Sequence, residues 1–280
     1  MQSIYDVMSI ILPFEWLSPH FMKNAFLAII IAAPLFGMLG SVIVSNGMAF
    51  FSDAIGHSSL TGIALGVALG IREPTATMVI FSMLLGCAII AVKSHGSTSS
   101  DTIIGVFSAV SVALGIVLLS SGGNFSKYQQ YLVGDILSIQ GREIIFLLCA
   151  ALGTVCVWVL LYNKMLLVNL HKNFAKSRGI RAFAVELFFA LIIAIVVTIA
   201  IQWTGLLVIN SLLVLPAAGA RMISANARHY VARAIAISLV SGIAGLAFSY
   251  YVGAASGASI VLVNAVLFAL CFFSKLMRGN

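Results

Sequence analysis

The chain has 280 residues, of which 61% are hydrophobic and only 8% charged, with a formal net charge of +7; soluble domains run to roughly 45–50% apolar and about 25% charged. That balance excludes a water-soluble enzyme or binding module. The surplus of Lys and Arg lies beside apolar runs, so it reads as membrane orientation and not as a nucleic-acid surface. A β-barrel is excluded too, because runs such as 27–31 and 188–197 lack the in–out alternation of barrel strands.

The first twenty residues contain Asp6, Pro13 and Glu15 and no basic n-region. They do not read as a cleavable signal peptide, and we expect 1–20 to lie along the membrane interface. Beyond them, apolar windows recur at close to the ~20 residues a helix needs to cross a ~30 Å hydrocarbon core. They predict an all-α fold, a polytopic transmembrane helical bundle forming a single domain, 1–280, with about nine spans and a range of roughly 8–10. The expected spans are 22–43, 48–70, 75–92, 102–121, 143–162, 183–203, 205–222, 231–252 and 258–275. Only Trp203-Thr204-Gly205 separates the sixth from the seventh, which predicts either a tight hairpin or a broken helix.

Eleven of the fifteen basic residues fall on one side of this topology: Lys93; Lys164, Lys172, Lys176, Arg178 and Arg181; Arg221, Arg228 and Arg233; Lys275 and Arg278. Lys23, Arg72, Lys127 and Arg142 fall on the other. The positive-inside rule makes the first side cytoplasmic, which puts the N-terminus outside and the C-terminus inside. Two cytoplasmic segments, 163–182 and 221–233, are basic and helix-compatible. Each reads either as a stop to translocation or as a docking surface for a soluble partner.

Ionisable groups inside apolar segments are the sharpest chemical signal, since an Asp near a span centre costs roughly 2.5–3.5 kcal/mol and marks a pathway. The second span holds Asp53 and His57, four apart and therefore one turn above each other on one helix face. An oxygen and a nitrogen donor suit Zn²⁺, Mn²⁺ or Fe²⁺ and suit Cu⁺ poorly. Two ligands do not complete a site; Asn210, Ser211 and Glu186 are the nearest chemical candidates for more. The alternative is a structural Asp–His hydrogen bond.

The same span continues as Gly62-x-x-x-Gly66-x-x-x-Gly70, a small-residue seam for close helix packing that points away from the Asp53/His57 face. Glu186 sits near Arg178 and Arg181, so a salt bridge there is its default role, and Asp101 opens the fourth span as a helix cap. His20, His95, His171 and His229 read as solvated. Cys87, Cys149, Cys156 and Cys271 lie in apolar stretches without metal-ligand spacing and read as packing residues. No P-loop, His-Glu-x-x-His or Gly-x-Ser-x-Gly motif is present, so any ATP chemistry must come from another chain.

These residues resemble the membrane permeases of ABC-type metal-ion importers over nearly the whole chain. The resemblance rests first on Met48-Ala-Phe-Phe-Ser-Asp53-Ala-Ile-Gly-His57-Ser-Ser-Leu-Thr-Gly62 and on the run Gly205 to Ala220 with its Pro216. Asp101-Thr-Ile-Ile-Gly105 with Ala113-Leu-Gly115, Gly134-Asp135-Ile-Leu and Ala175-x-x-x-Gly179 add to it. It implies a transport subunit, not an enzyme, in the bacterial inner membrane. Two permeases, identical or paired with a relative, would stand on cytoplasmic ATP-binding subunits and receive metal from an extracytoplasmic binding protein. The resemblance further implies that Asp53 and His57 contact the metal and that 221–233, with Arg221 and Arg228, is the coupling segment on the ATPase. The metal is cargo, with no permanently bound cofactor. Manganese-type members often have Pro where this chain has Thr61, which favours zinc over manganese or iron. The rivals are a gradient-driven secondary metal transporter and a membrane-embedded metal hydrolase, for which no motif supplies a third ligand and a base.

Overall fold

The computed structural model describes residues 5–6, 8–9, 12–71, 74–96, 98–121 and 135–278, and no strand occurs among them. In chain order the helices are α1 His20–Ser45, α2 Phe51–Ala68, α3 Thr75–His95, α4 Ser100–Ser121, α5 Gly141–Leu170, α6 Lys172–Ser177, α7 Ala182–Ile223, α8 Ala227–Val252 and α9 Ser256–Arg278. Arg72, Lys127 and Gly134, used above for orientation and motif matching, lie outside the described residues.

Seven of these helices are long and apolar enough to cross a membrane. The difference from about nine expected segments has two physical causes. At 42 residues, α7 has about twice the ~20 residues that one span needs. It therefore holds both the sixth and seventh expected spans, which meet at Gly205, whose φ 77° and ψ 159° no residue with a Cβ adopts readily. The helical run is interrupted there, at the corner where the sequence reads as a tight hairpin or a broken helix. The second cause is α2, whose Ser52, Asp53, His57, Ser58, Ser59 and Thr61 lower its hydropathy. Protein encloses it on most sides instead, and thirteen of its eighteen residues are buried.

The chain packs as two compact units. Met1–Ser41, Asp135–Leu152 and Trp203–Asn280 form the first; Val42–Gly134 and Gly153–Gln202 form the second. In the first unit α1 runs antiparallel to α8, with Gly37 against the Ala234 backbone and Gly242 against Ile29, and Ser238 Oγ donates to Ala33 O at 2.7 Å. Gly245 lets α8 approach Ile260 of α9, and Asn264 Nδ2 donates to Ser211 Oγ at 2.8 Å between α9 and the second half of α7. Small residues and interhelical hydrogen bonds are what hold helices together where burial from water supplies little drive. The Gly134-Asp135-Ile-Leu motif gains a partial explanation: Asp135 Oδ1 accepts the Leu137 N–H at 3.0 Å and starts the turn Ile136–Ser138.

In the second unit α2 is the shared element. It pairs antiparallel with α3, where Gly62 meets the Met78 backbone, Ser58 and Ser82 hydroxyls lie 3.3 Å apart, and Phe51 and Ile55 pack beside Gly86. It runs parallel to α4, where Thr61 Oγ1 donates to Ser111 O and Gly115 sits against Thr61. The predicted seam thus holds at Gly62 and Gly66, while Gly70 falls past the end of α2 in the following turn. As expected from the 100° helical step, α3 covers the face of α2 opposite Asp53 and His57.

Candidate metal site

Asp53 and His57 line an open hollow of about 860 Å³ between α2 and the stretch of α4 from Asp101 to Ile116. Their side chains are 40% and 37% exposed, and Asp53 Oδ1 stands 3.6 Å from His57 Nε2. That gap exceeds hydrogen-bond length. It matches the separation of two donors on one tetrahedral ion, which at ~2.0–2.2 Å per bond is about 3.3–3.6 Å. The separation suits two ligands of one ion and equally an ion pair once His57 is protonated.

Among the described residues, the hollow's other lining includes Asp101, Thr102, Gly105 and Ser108, and none is Lys or Arg. Two carboxylates and one imidazole with no cationic side chain among these residues favour a cation. Asp101 stands in the first turn of α4, where its charge suits the helix dipole as expected, and it also lines the hollow. The side-chain cap itself comes from Ser99, whose Oγ accepts the Thr102 N–H at 3.2 Å. Among the described residues no three His, Cys, Asp or Glu side chains lie close enough together to hold one ion.

The further candidates are placed as follows. Glu186 pairs with Lys93 at 3.3 Å, a partner the sequence did not suggest; both side chains are nearly buried, and α3 carries Lys93 to the first turns of α7. Ser211 is buried and accepts from Asn264, and Asn210 is half-buried; both belong to the first unit. Asn264, which sequence reasoning passed over, stood out only as an amide within an apolar run. Arg221 and Arg228 are exposed at the end of α7 and the start of α8, where Asn226 caps α8 and Arg233 donates to Ile223 O.

The Ala175-x-x-x-Gly179 motif closes α6. Ala175 is fully buried, its carbonyl accepts the Ile180 N–H at 3.0 Å, and Gly179 takes φ 74° to end the turn. Phe174, on the other side, is exposed with the Arg178 guanidinium 5.1 Å above its ring. His20, His95, His171 and His229 are exposed as expected. The cysteines are free, and Cys149 and Cys156 are exposed on α5 rather than packed, since much of that helix faces outward.

Compared with known proteins, residues 18–275 match the model of the ABC 3 transport family. The chain is 29% identical over 263 residues to the high-affinity zinc uptake system membrane protein ZnuB of Haemophilus influenzae, covering 94% of this chain and 98% of that one. It is also 29% identical over 254 residues to the manganese import system permease protein ScaB of Streptococcus parasanguinis, covering 91% and 90%. Among solved structures, PsaBC from Streptococcus pneumoniae in complex with Fab matches with a TM-score of 0.78 and 25% identity, over 97% of this chain and 95% of that one.

Proposed function

The chain belongs to the ABC 3 transport family, the membrane permeases of ATP-driven metal importers, and from that premise we propose that it carries zinc inward through the Asp53/His57 hollow. It is a multi-pass inner-membrane transport subunit, and ATP hydrolysis belongs to a separate subunit. The observation that carries the proposal is the Asp53–His57 pair, 3.6 Å apart, in a hollow lined, among the described residues, by a second carboxylate and no cationic side chain.

A tetrahedral zinc site takes four ligands, and this pair offers two. A second copy facing the first would offer two more, so the functional unit we propose is a homodimer with the ion between two Asp–His pairs. Such a site serves transport if it is transient, because an ion bound too tightly does not leave. ATP binding and hydrolysis on the partner subunits would rearrange the dimer and release the ion inward, after a binding protein has delivered it from outside. We favour zinc over manganese and iron because manganese-type members often carry Pro where this chain has Thr61, whose hydroxyl donates to Ser111 O. Relatives named for zinc and for manganese match about equally well, so competition among the ions decides the cargo.

The exposed Arg221 and Arg228, and α6 with Phe174 and Arg178, are the surfaces we assign to the ATPase. Reversing charge at either segment is expected to reduce co-purification of the ATPase. The central experiment is uptake by the reconstituted complex. Asp53→Ala with His57→Ala should abolish it in a protein that still folds and binds its ATPase, and Zn²⁺ should outcompete Mn²⁺ and Fe²⁺ in the parent. Normal uptake by the double variant would sink the site; gradient-driven uptake without the ATPase would sink the ATP-driven reading.

A further inference from the structure

One nearly buried cation in the second unit has no part in the hollow. Lys93, in the last turn of α3, lies 3.3 Å from Glu186 Oε2, with the two side chains 13% and 12% exposed. Its Nζ also donates to the Met48 thioether at 3.2 Å. Both neighbours sit at mechanically informative places. Glu186 is in the opening turns of α7, the helix that follows directly from the basic α6 segment. Met48 is buried in the turn before α2, and its carbonyl accepts the Phe51 N–H at 2.9 Å, the bond that starts the helix bearing Asp53 and His57. Phe51, fully buried, then packs beside Gly86 of α3.

Burying an ammonium and a carboxylate costs more than an apolar pair of the same volume would, so stability alone is weak grounds for keeping them. A cation touching two elements at once is different, because displacing one contact disturbs the other. We propose that Lys93 is a positioning residue of transport: by holding Glu186 and Met48 together it ties the displacement of α7, driven through the α6 segment, to the orientation of α2 and its metal pair. This rests on the proposed ATP-driven function. Coupling through packed and ion-paired contacts becomes a physical claim only when a perturbation shows it.

The readout is metal moved per ATP hydrolysed by the complete complex of permease, ATPase and binding protein in proteoliposomes. Lys93→Met and Glu186→Gln are expected to lower that ratio at least tenfold with ATP hydrolysis within about twofold of the parent, and Lys93→Arg to keep it within about twofold. The swap Lys93→Glu with Glu186→Lys restores opposite charges but leaves no donor at position 93 for Met48. It is expected to recover the yield and thermal stability of the complex while the ratio stays low. Met48→Leu, which keeps the packing volume and removes the sulfur acceptor, is expected to lower the ratio about threefold or more. Recovery of the ratio in the swap, or a parental ratio in Met48→Leu, would show the pair to be purely structural and overturn the proposal. Absence of ATP-driven uptake in the parent complex would instead overturn the function on which it rests.

Discussion

Adding one methyl group at Gly62 tests the packing that fixes the metal-bearing helix. A Cβ there would stand 2.5 Å from Met78 Cα and 3.0 Å from Met78 N and Thr77 O, all of them backbone atoms. Carbon atoms rest at about 3.5–4.0 Å, so α2 and α3 must part by about 1 Å, and no side-chain rotation relieves it. Overpacking of this kind costs about 1–3 kcal/mol. Against it stands the ordinary gain of Ala over Gly inside a helix, about 0.5–1 kcal/mol. Gly153 on α5 isolates that gain, since a Cβ there meets nothing within 4 Å. Gly153→Ala is therefore expected to be slightly more stable than the parent, and Gly62→Ala to fall below Gly153→Ala by about 1–3 kcal/mol. Equilibrium unfolding of the purified permease in mixed mild and denaturing detergent measures both. A Gly62→Ala variant as stable as Gly153→Ala would refute the close approach of α2 to α3.

Two further outcomes are expected in the same assay. Gly205→Ala forces a Cβ onto φ 77° and ψ 159°, and the strain is expected to cost about 1–3 kcal/mol; a neutral substitution would mean that the α7 break takes another backbone form. Ser211→Ala removes the acceptor for the Asn264 amide and is expected to cost about 0.6–1.7 kcal/mol, the range of interhelical hydrogen bonds in membranes, while zinc uptake stays within about twofold of the parent. A large loss of uptake at unchanged stability would place Ser211 on the metal path.

Much of this was legible because hydropathy and helical periodicity are local. The spacing of Asp53 and His57 set their shared face, and the spacing of Gly62 and Gly66 set the opposing seam, before any partner helix was known. What stayed hidden depends on contacts between distant segments. Nothing near Glu186 in sequence points to Lys93, while the adjacent Arg178 and Arg181 are the partners that sequence proximity suggests. Asp101 stands in the first turn of α4 as its position predicts, and only the packing of α4 beside α2 shows that it also lines the hollow. The break in α7 was legible in its place: Gly205 marked the corner, and its φ 77° and ψ 159° interrupt the helical run there.

The polarity of α2 also bears on how the protein is made. Seven other helices pass on length and hydropathy as spans, and α2 does not. A segment bearing Asp53, His57 and a row of hydroxyls gains little by leaving the translocon alone. Its Gly62 and Gly66 fit against Thr77 and Met78 in the next helix to emerge. Partition of α2 into lipid is then expected to wait for α3, so that the two enter the bilayer as a hairpin and the metal-bearing helix is never presented to lipid by itself.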